Sequence, residues 1–192
     1  MYYKFLILDS SIADYITAFS AMGAVIVAIY GFNEWKRQLK GKTDYETARR
    51  YLKSALKLRD AMKYVRNPFI PIAEMEKAFK ENGIEDGNYG SNEKTNRAVY
   101  SVRWKKVTEA ATDLEAELLE AEVSWGRDAI KAQDDLDSLV RELRVIVTLF
   151  LNGTPREGEE HLIYDTGEND PFSKKINTAI EKIENYLKPY LK

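Results

Sequence analysis

Apolar and polar positions alternate along this chain with helical periods almost throughout, and one stretch has no polar rhythm at all. From Tyr15 to Phe32 the sequence is uncharged and mostly apolar, with only Thr17 and Ser20 as small polar side chains. Eighteen helical residues at 1.5 Å each span about 27 Å, close to a bilayer core. Further on, Thr43-Asp44-Tyr45-Glu46 has the form of a capped helix start, because Glu46 can reach back to a Thr43 cap. Ala48, Leu52, Ala55, Met62 and Val65 then recur at helical spacing, and Asn67-Pro68 ends the run, since proline disfavours helical geometry in the residue before it. After the rigid turn at 68–71, the spacing predicts a short helix over 72–80 and an exposed loop over 82–92, rich in Gly and Asn.

The strongest pattern follows. Tyr100, Trp104, Val107, Ala111, Leu114, Leu118, Ala121 and Trp125 keep a 4,3 alternation, a coiled-coil-like seam on a helix of some 30 residues. Phase is lost at Trp125-Gly126 and resumes as Ala132, Leu136, Leu139, Leu143, Ile146 and Phe150. Residues 93–151 therefore form either one long helix kinked at Gly126 or two helices meeting there. A polar connection covers 152–169. The last helix opens with Asp170 as cap and Pro171 in its first turn, and carries the stripe Ile176, Ile180, Ile183, Leu187 and Tyr190. The expected fold class is all-α: an N-terminal transmembrane helix over 1–42 with a basic juxtamembrane segment, then an antiparallel cytoplasmic helical bundle over 43–192.

Charge gives the span a direction. Only Lys4, Asp9 and Asp14 are charged before it, whereas Lys36, Arg37, Lys40, Lys42, Arg49 and Arg50 follow it. Basic residues are retained on the cytoplasmic side during insertion, so the expected topology is single-pass in the cell inner membrane, N-terminus outside and C-terminal bulk cytoplasmic. A buried helix of a soluble bundle is the competing reading, but a helix in so small a domain normally keeps a polar stripe. A cleaved signal peptide would want a basic start and a small-x-small cleavage site, and neither is evident. The Asn152-Gly153-Thr154 sequon has no meaning on the cytoplasmic side.

Two sets of residues stand out as candidate binding surfaces. Thr17, Ala21, Ala24, Ala28 and Gly31 form a narrow small-residue seam within the span, of the kind that lets helices approach closely in lipid. Its expected partner is a second copy of the chain or a span of another membrane protein. Residues 34–66 hold 11 Lys/Arg against 4 Asp/Glu, net +7, while 67–192 carry net −8. Lys36, Arg37, Lys40, Lys42, Arg49, Arg50 and Lys53 are thus expected to meet anionic lipid headgroups, each gaining roughly 1 kcal/mol near the surface. Nucleic acid is a possible phosphate for such a block, but its place next to an anchor favours lipid.

Catalytic chemistry finds little support. With no cysteine and a single histidine, His161, the chain has no thiolate nucleophile, zinc knuckle or multi-histidine metal site of its own. Gly41-Lys42-Thr43 lacks the earlier glycine and the strand of a phosphate-binding loop. Asp134, Asp135 and Asp137 fall on a helix without the glycine and distal glutamate of a calcium loop, and read as a solvated face. Glu159, Glu160 and His161 sit in a polar loop with no second imidazole. Tyr100, Trp104 and Trp125 lie in the heptad phase of a core, not of a stacking site. Arg49, Arg50, Arg59 and Arg66 form an arginine set suited to a phosphorylated ligand, to lipid heads or to pairing with the acidic helices. No catalytic residue, cofactor or metal is expected, and no enzyme activity.

Trp35-Lys36-Arg37-Gln38-Leu39-Lys40-Gly41, Tyr45-Glu46-x-Ala48-Arg49-Arg50-x-Leu52, Leu58-Arg59-Asp60-Ala61 and Arg66-Asn67-Pro68-Phe69 together resemble a group of uncharacterised bacterial proteins. The likeness extends more loosely to Leu118-Leu119-Glu120-Ala121-Glu122 with Trp125-Gly126, and to Ile183-Glu184-x-Tyr186-Leu187-x-Pro189. Those proteins begin with one membrane helix and continue as a helical cytoplasmic region, which is the organisation the resemblance implies here. It brings no activity and no site residues. The expected function is a membrane-anchored interaction protein: an anchor, scaffold or regulatory subunit holding partners at the cytoplasmic face. The alternative is an oligomeric membrane effector, whose spans form a pore or perturb the bilayer under control of the bundle.

Overall fold

The computed structural model describes residues 2–85, 93–153, 163–167 and 169–192, with side chains from residue 12 onward. Among these the chain is all-helical: α1 (Tyr2–Val65), α2 (Ile72–Glu81), α3 (Glu93–Trp125), α4 (Asp128–Leu151) and α5 (Pro171–Leu187). It divides into two compact units, Met1–Asp44 and Tyr45–Lys192.

The expected helix start at Thr43 is not one. α1 runs through it, and the Thr43 hydroxyl donates back to the Leu39 carbonyl at 3.0 Å instead of capping. A Thr caps only where the preceding chain leaves helical geometry, and only Gly41 weakens the helix there, at a cost of about 1 kcal/mol. The expected end holds: α1 stops at Val65, and Asn67 Oδ1 accepts from the Phe69 N–H at 2.9 Å in the turn that follows. α2 begins directly after Pro71.

In the second unit one apolar cluster draws on four helices. Ala48, Tyr51, Ala55, Leu58 and Met62 of α1 are buried with Tyr100, Val107, Leu114 and Ala121 of α3, Leu136 and Leu143 of α4, and Ile176, Ile183 and Leu187 of α5. The α3 seam is thus the core face, its alternate members Trp104, Ala111, Leu118 and Trp125 half-buried at the edge. On α4 the buried face is turned slightly from the expected one. Ala129, Gln133, Leu136, Leu139, Leu143 and Val147 are buried, while Ile146 and Phe150 are half-buried, because α4 is wedged between α3 and α5 and not packed on one neighbour. A smaller cluster joins Ala78 and Phe79 of α2 to Ala98, Val99 and Val102 of α3.

The ion pairs give the sense of each neighbouring pair. Along α1, Arg50 meets Glu117 and Lys57 meets Asp113, so α3 is met in descending order as α1 ascends. Between α4 and α5, Asp135 meets Lys182 and Glu142 meets Lys175.

The question at Gly126 resolves as two helices. α3 ends at Trp125 and Gly126 turns with φ +84°, its N–H donating to the Glu122 carbonyl at 2.8 Å. A side chain there meets no steric obstacle within 4 Å, so the backbone conformation alone makes glycine the fit. Gly126→Ala is expected to lower stability by about 1 kcal/mol, read as an earlier urea midpoint at unchanged slope; an unchanged midpoint contradicts the turn. α5 starts as expected, with Pro171 in its first turn and Asp170 accepting from the Ser173 N–H at 2.6 Å.

Candidate membrane span and basic collar

In the first unit no described residue covers α1 from Ile12 onward. An 18-residue window of mean hydropathy 1.9 is 0% buried, so the helix is long and apolar enough to cross a membrane. Ile12, Tyr15, Ile16, Phe19, Met22, Val25, Val27 and Ile29 are each at least 55% exposed. A soluble chain gains about 25 cal/mol for each Å² of such surface it buries, and here no residue of that window is buried. The seam residues Thr17, Ala21, Ala24, Ala28 and Gly31 all lie exposed within an arc of about 80°, at 100° per residue. Thr17 has its hydroxyl satisfied internally, donating to the Ala13 carbonyl at 2.8 Å, so it presents only its methyl group and a used hydroxyl. A Cβ at Gly31 would meet nothing within 4 Å.

At the polar end of this stretch the rings of Phe32 and Trp35 stand 5.8 Å apart, with the Lys36 ammonium 6.0 Å from the Phe32 centroid. Arg37 bonds Glu34 at 2.8 Å, and hydrogen bonds from Gln38 and Arg37 hold the Glu34 carboxyl below its usual value. Lys36, Lys40 and Lys42 are exposed and make no ion pair among the described residues. Gly41-Lys42-Thr43 is plain helix.

In the second unit the remaining candidate cations differ in their freedom. Arg49 and Lys53 are exposed and unpaired among the described residues. Arg50 bonds Glu117 at 2.9 Å, an attachment that raises its already high pKa. Such a surface pair is worth about 0.2–1 kcal/mol, comparable with what a lipid headgroup offers, so Arg50 can exchange one for the other.

The arginine set does not assemble. Arg59 bonds its neighbour Asp60, and Arg66 is fully buried. Arg66 closes the end of α1 onto the start of α5. Its guanidinium donates to both Asp170 oxygens at 2.6 and 2.9 Å, to Ser173 Oγ at 3.1 Å and to the Tyr164 carbonyl at 2.9 Å, and it lies 4.7 Å from the Phe172 centroid. Burial alone pushes the Asp170 carboxyl up, but the bonds from Arg66 and Ser173 outweigh it and hold the group well below the carboxylate range.

A second buried arginine, Arg103, was not singled out by the sequence. It forks onto Glu74 at 2.7 and 2.9 Å and donates to the carbonyls of Asn67 and Phe69 at 2.6 and 2.9 Å, so one α3 side chain fixes α2 and the turn before it. Burial raises the Glu74 carboxyl, while bonds from Arg103 and Tyr64 lower it by more. The visible signal was an arginine between the mostly apolar run Ala98-Val99-Tyr100-Ser101-Val102 and Trp104. Both arginines serve the end of the second unit where α1 stops.

The remaining candidates are accounted for by packing. Tyr100 is buried against Phe150 at 5.4 Å, and Trp125 stacks on Tyr190 at 4.1 Å. Asp135 pairs with Lys182 and Asp137 accepts from Gln133, and among the described residues no group of three His, Cys, Asp or Glu side chains is placed to hold a metal. Glu159, Glu160, His161 and Thr154 lie outside the described residues. In comparisons with known proteins, no family model, no curated protein and no solved structure matches this chain.

Proposed function

We propose that the chain is a single-pass protein of the cell inner membrane, N-terminus outside, whose cytoplasmic part is an antiparallel helical bundle working by interaction: an anchor, scaffold or regulatory subunit. The observation that carries this reading is the apolar stretch of α1, which the rest of its unit leaves wholly uncovered. In water such a surface is a liability, and in lipid it is the normal state of a span. Aromatic rings at Tyr15 and at Tyr30, Phe32 and Trp35 suit the two headgroup levels, and the basic block after Trp35 supports the orientation. Lys36, Arg37, Lys40 and Lys42, with Arg49, Arg50 and Lys53, then meet anionic lipid. The seam from Thr17 to Gly31 brings spans together, whether from two copies or from a partner membrane protein.

The test reconstitutes two differently labelled copies in vesicles, washes them at alkaline pH and floats them. Both labels are expected to float, with energy transfer between them that Ala24→Leu or Ala28→Leu lowers severalfold by widening the seam. Protein left at the bottom refutes the anchor. Transfer unchanged by either substitution refutes the seam as the contact.

A further inference from the structure

The outward face of α3 carries a pattern that anchoring alone does not use. From Glu109 to Glu122 the helix holds six Asp/Glu and no Lys or Arg. Asp113 and Glu117 face α1, pairing with Lys57 and Arg50. The carboxylates of Glu109, Glu115, Glu120 and Glu122 make no ion pair or hydrogen bond among the described residues. Between them runs a second seam: Thr112, Ala116, Leu119 and Val123, spaced 4,3,4, uncharged and exposed, on the side opposite the buried Val107, Leu114 and Ala121. Leu119 is 61% and Val123 88% exposed. At helical angles these four fall within an arc of about 60°.

In heptad terms the seam occupies the two contact positions, and the flanking positions are Asp113, already paired with Lys57 of α1, and Glu120 on one side, with Glu115 and Glu122 on the other, so the three glutamates are left to choose a partner. Every flank position is acidic. A second copy pairing through this same face sets carboxylate against carboxylate, and an anionic lipid surface is repelled for the same reason. The structure assigns this face to an amphipathic helix of a different protein, one whose apolar seam is flanked by Lys or Arg. This rests on the interaction reading above and names its partner's chemistry. The seam is about 17 Å long, three turns, which suits a reversible contact and not a permanent subunit interface.

The probe is a synthetic 21-residue helix with Leu at the contact positions and Lys at the flanks, titrated against the full chain in phosphatidylcholine nanodiscs, with a Glu-flanked twin as comparison. Saturable binding of the Lys helix is expected, weakened at least tenfold by Leu119→Asp or Val123→Asp and unchanged by Asp134→Asn on α4. Glu115→Lys combined with Glu120→Lys and Glu122→Lys is expected to transfer the preference to the Glu helix. Apart from the half-buried Glu122 the altered side chains are exposed, and an unchanged melting temperature verifies that each variant is folded. Absence of binding, equal binding of the two helices, or binding indifferent to Leu119→Asp overturns the assignment. So does a result in which Val123→Asp abolishes contact between two copies while the probe is ignored. Co-elution of chain and nanodisc is read separately: chain that co-elutes yet ignores the probe overturns the face and leaves the anchor standing. Chain that stays outside the nanodisc refutes the anchor, and the same titration still decides the face.

Discussion

Arg66→Met is expected to destabilise the second unit by about 3–5 kcal/mol, because it leaves the Asp170 carboxylate buried without its cation. For a unit of this size that is a fall in melting temperature of roughly 10 °C. Arg66→Met combined with Asp170→Leu removes both charges and is expected to recover part of the loss, though the α5 cap goes with Asp170 and costs about 1 kcal/mol. The Arg66–Asp170 pair also sets an acid dependence. The Asp170 carboxyl is held below its unfolded value of about 3.9, so the unfolded chain takes up the proton first as pH falls. Its stabilising contribution is complete above about pH 5 and is lost progressively as pH drops through 4 towards the folded value. Glu74, lowered by Arg103, acts in the same direction. Asp170→Asn keeps a capping side chain but is expected to flatten the acid limb. Melting curves of wild type and Asp170→Asn from pH 7 to 3 check this, and parallel curves contradict it.

The second large effect concerns the span. Ile26 is near the middle of the uncovered stretch and 49% exposed, and an arginine at the centre of a membrane helix costs about 3 kcal/mol of insertion. Ile26→Arg is expected to move most of the chain from the alkali-resistant membrane pellet to the supernatant, whereas Ile26→Leu leaves it in place. An Ile26→Arg chain that still pellets like wild type contradicts a span centred there.

What the sequence revealed and what it concealed divide along physical lines. Helix extents at 65, 72 and 170 were legible because each is written locally, in a proline or a capping aspartate, whereas Gly126 marked a break without deciding between a kink and a turn. The α3 seam was legible because a 4,3 repeat has only one reading on a helix. The false start at Thr43 shows the limit of local signals: a capping motif is silent when the chain before it is already helical. The buried arginines were hidden for the opposite reason. Arg66 and Asp170 are 104 residues apart, and Arg103 and Glu74 are 29 apart, so nothing local marks either as half of a pair. Arg66 accordingly looked like part of a surface set, and Asp170 like a cap only. The candidate span was fully legible in composition, while the commitment of Arg50 to Glu117 needed the tertiary contact between α1 and α3.

The proposed topology has residues 15–32 crossing the bilayer with the bundle on the cytoplasmic side. Because the chain has no cysteine, single cysteines report topology without background. Ser10→Cys and Lys94→Cys, one on each side of the proposed span, are labelled in intact cells with a membrane-impermeant maleimide. Ser10→Cys is expected to react once the outer membrane is permeabilised, and Lys94→Cys only after the inner membrane is opened. Equal reactivity of the two before that step, or the reverse order, contradicts that topology.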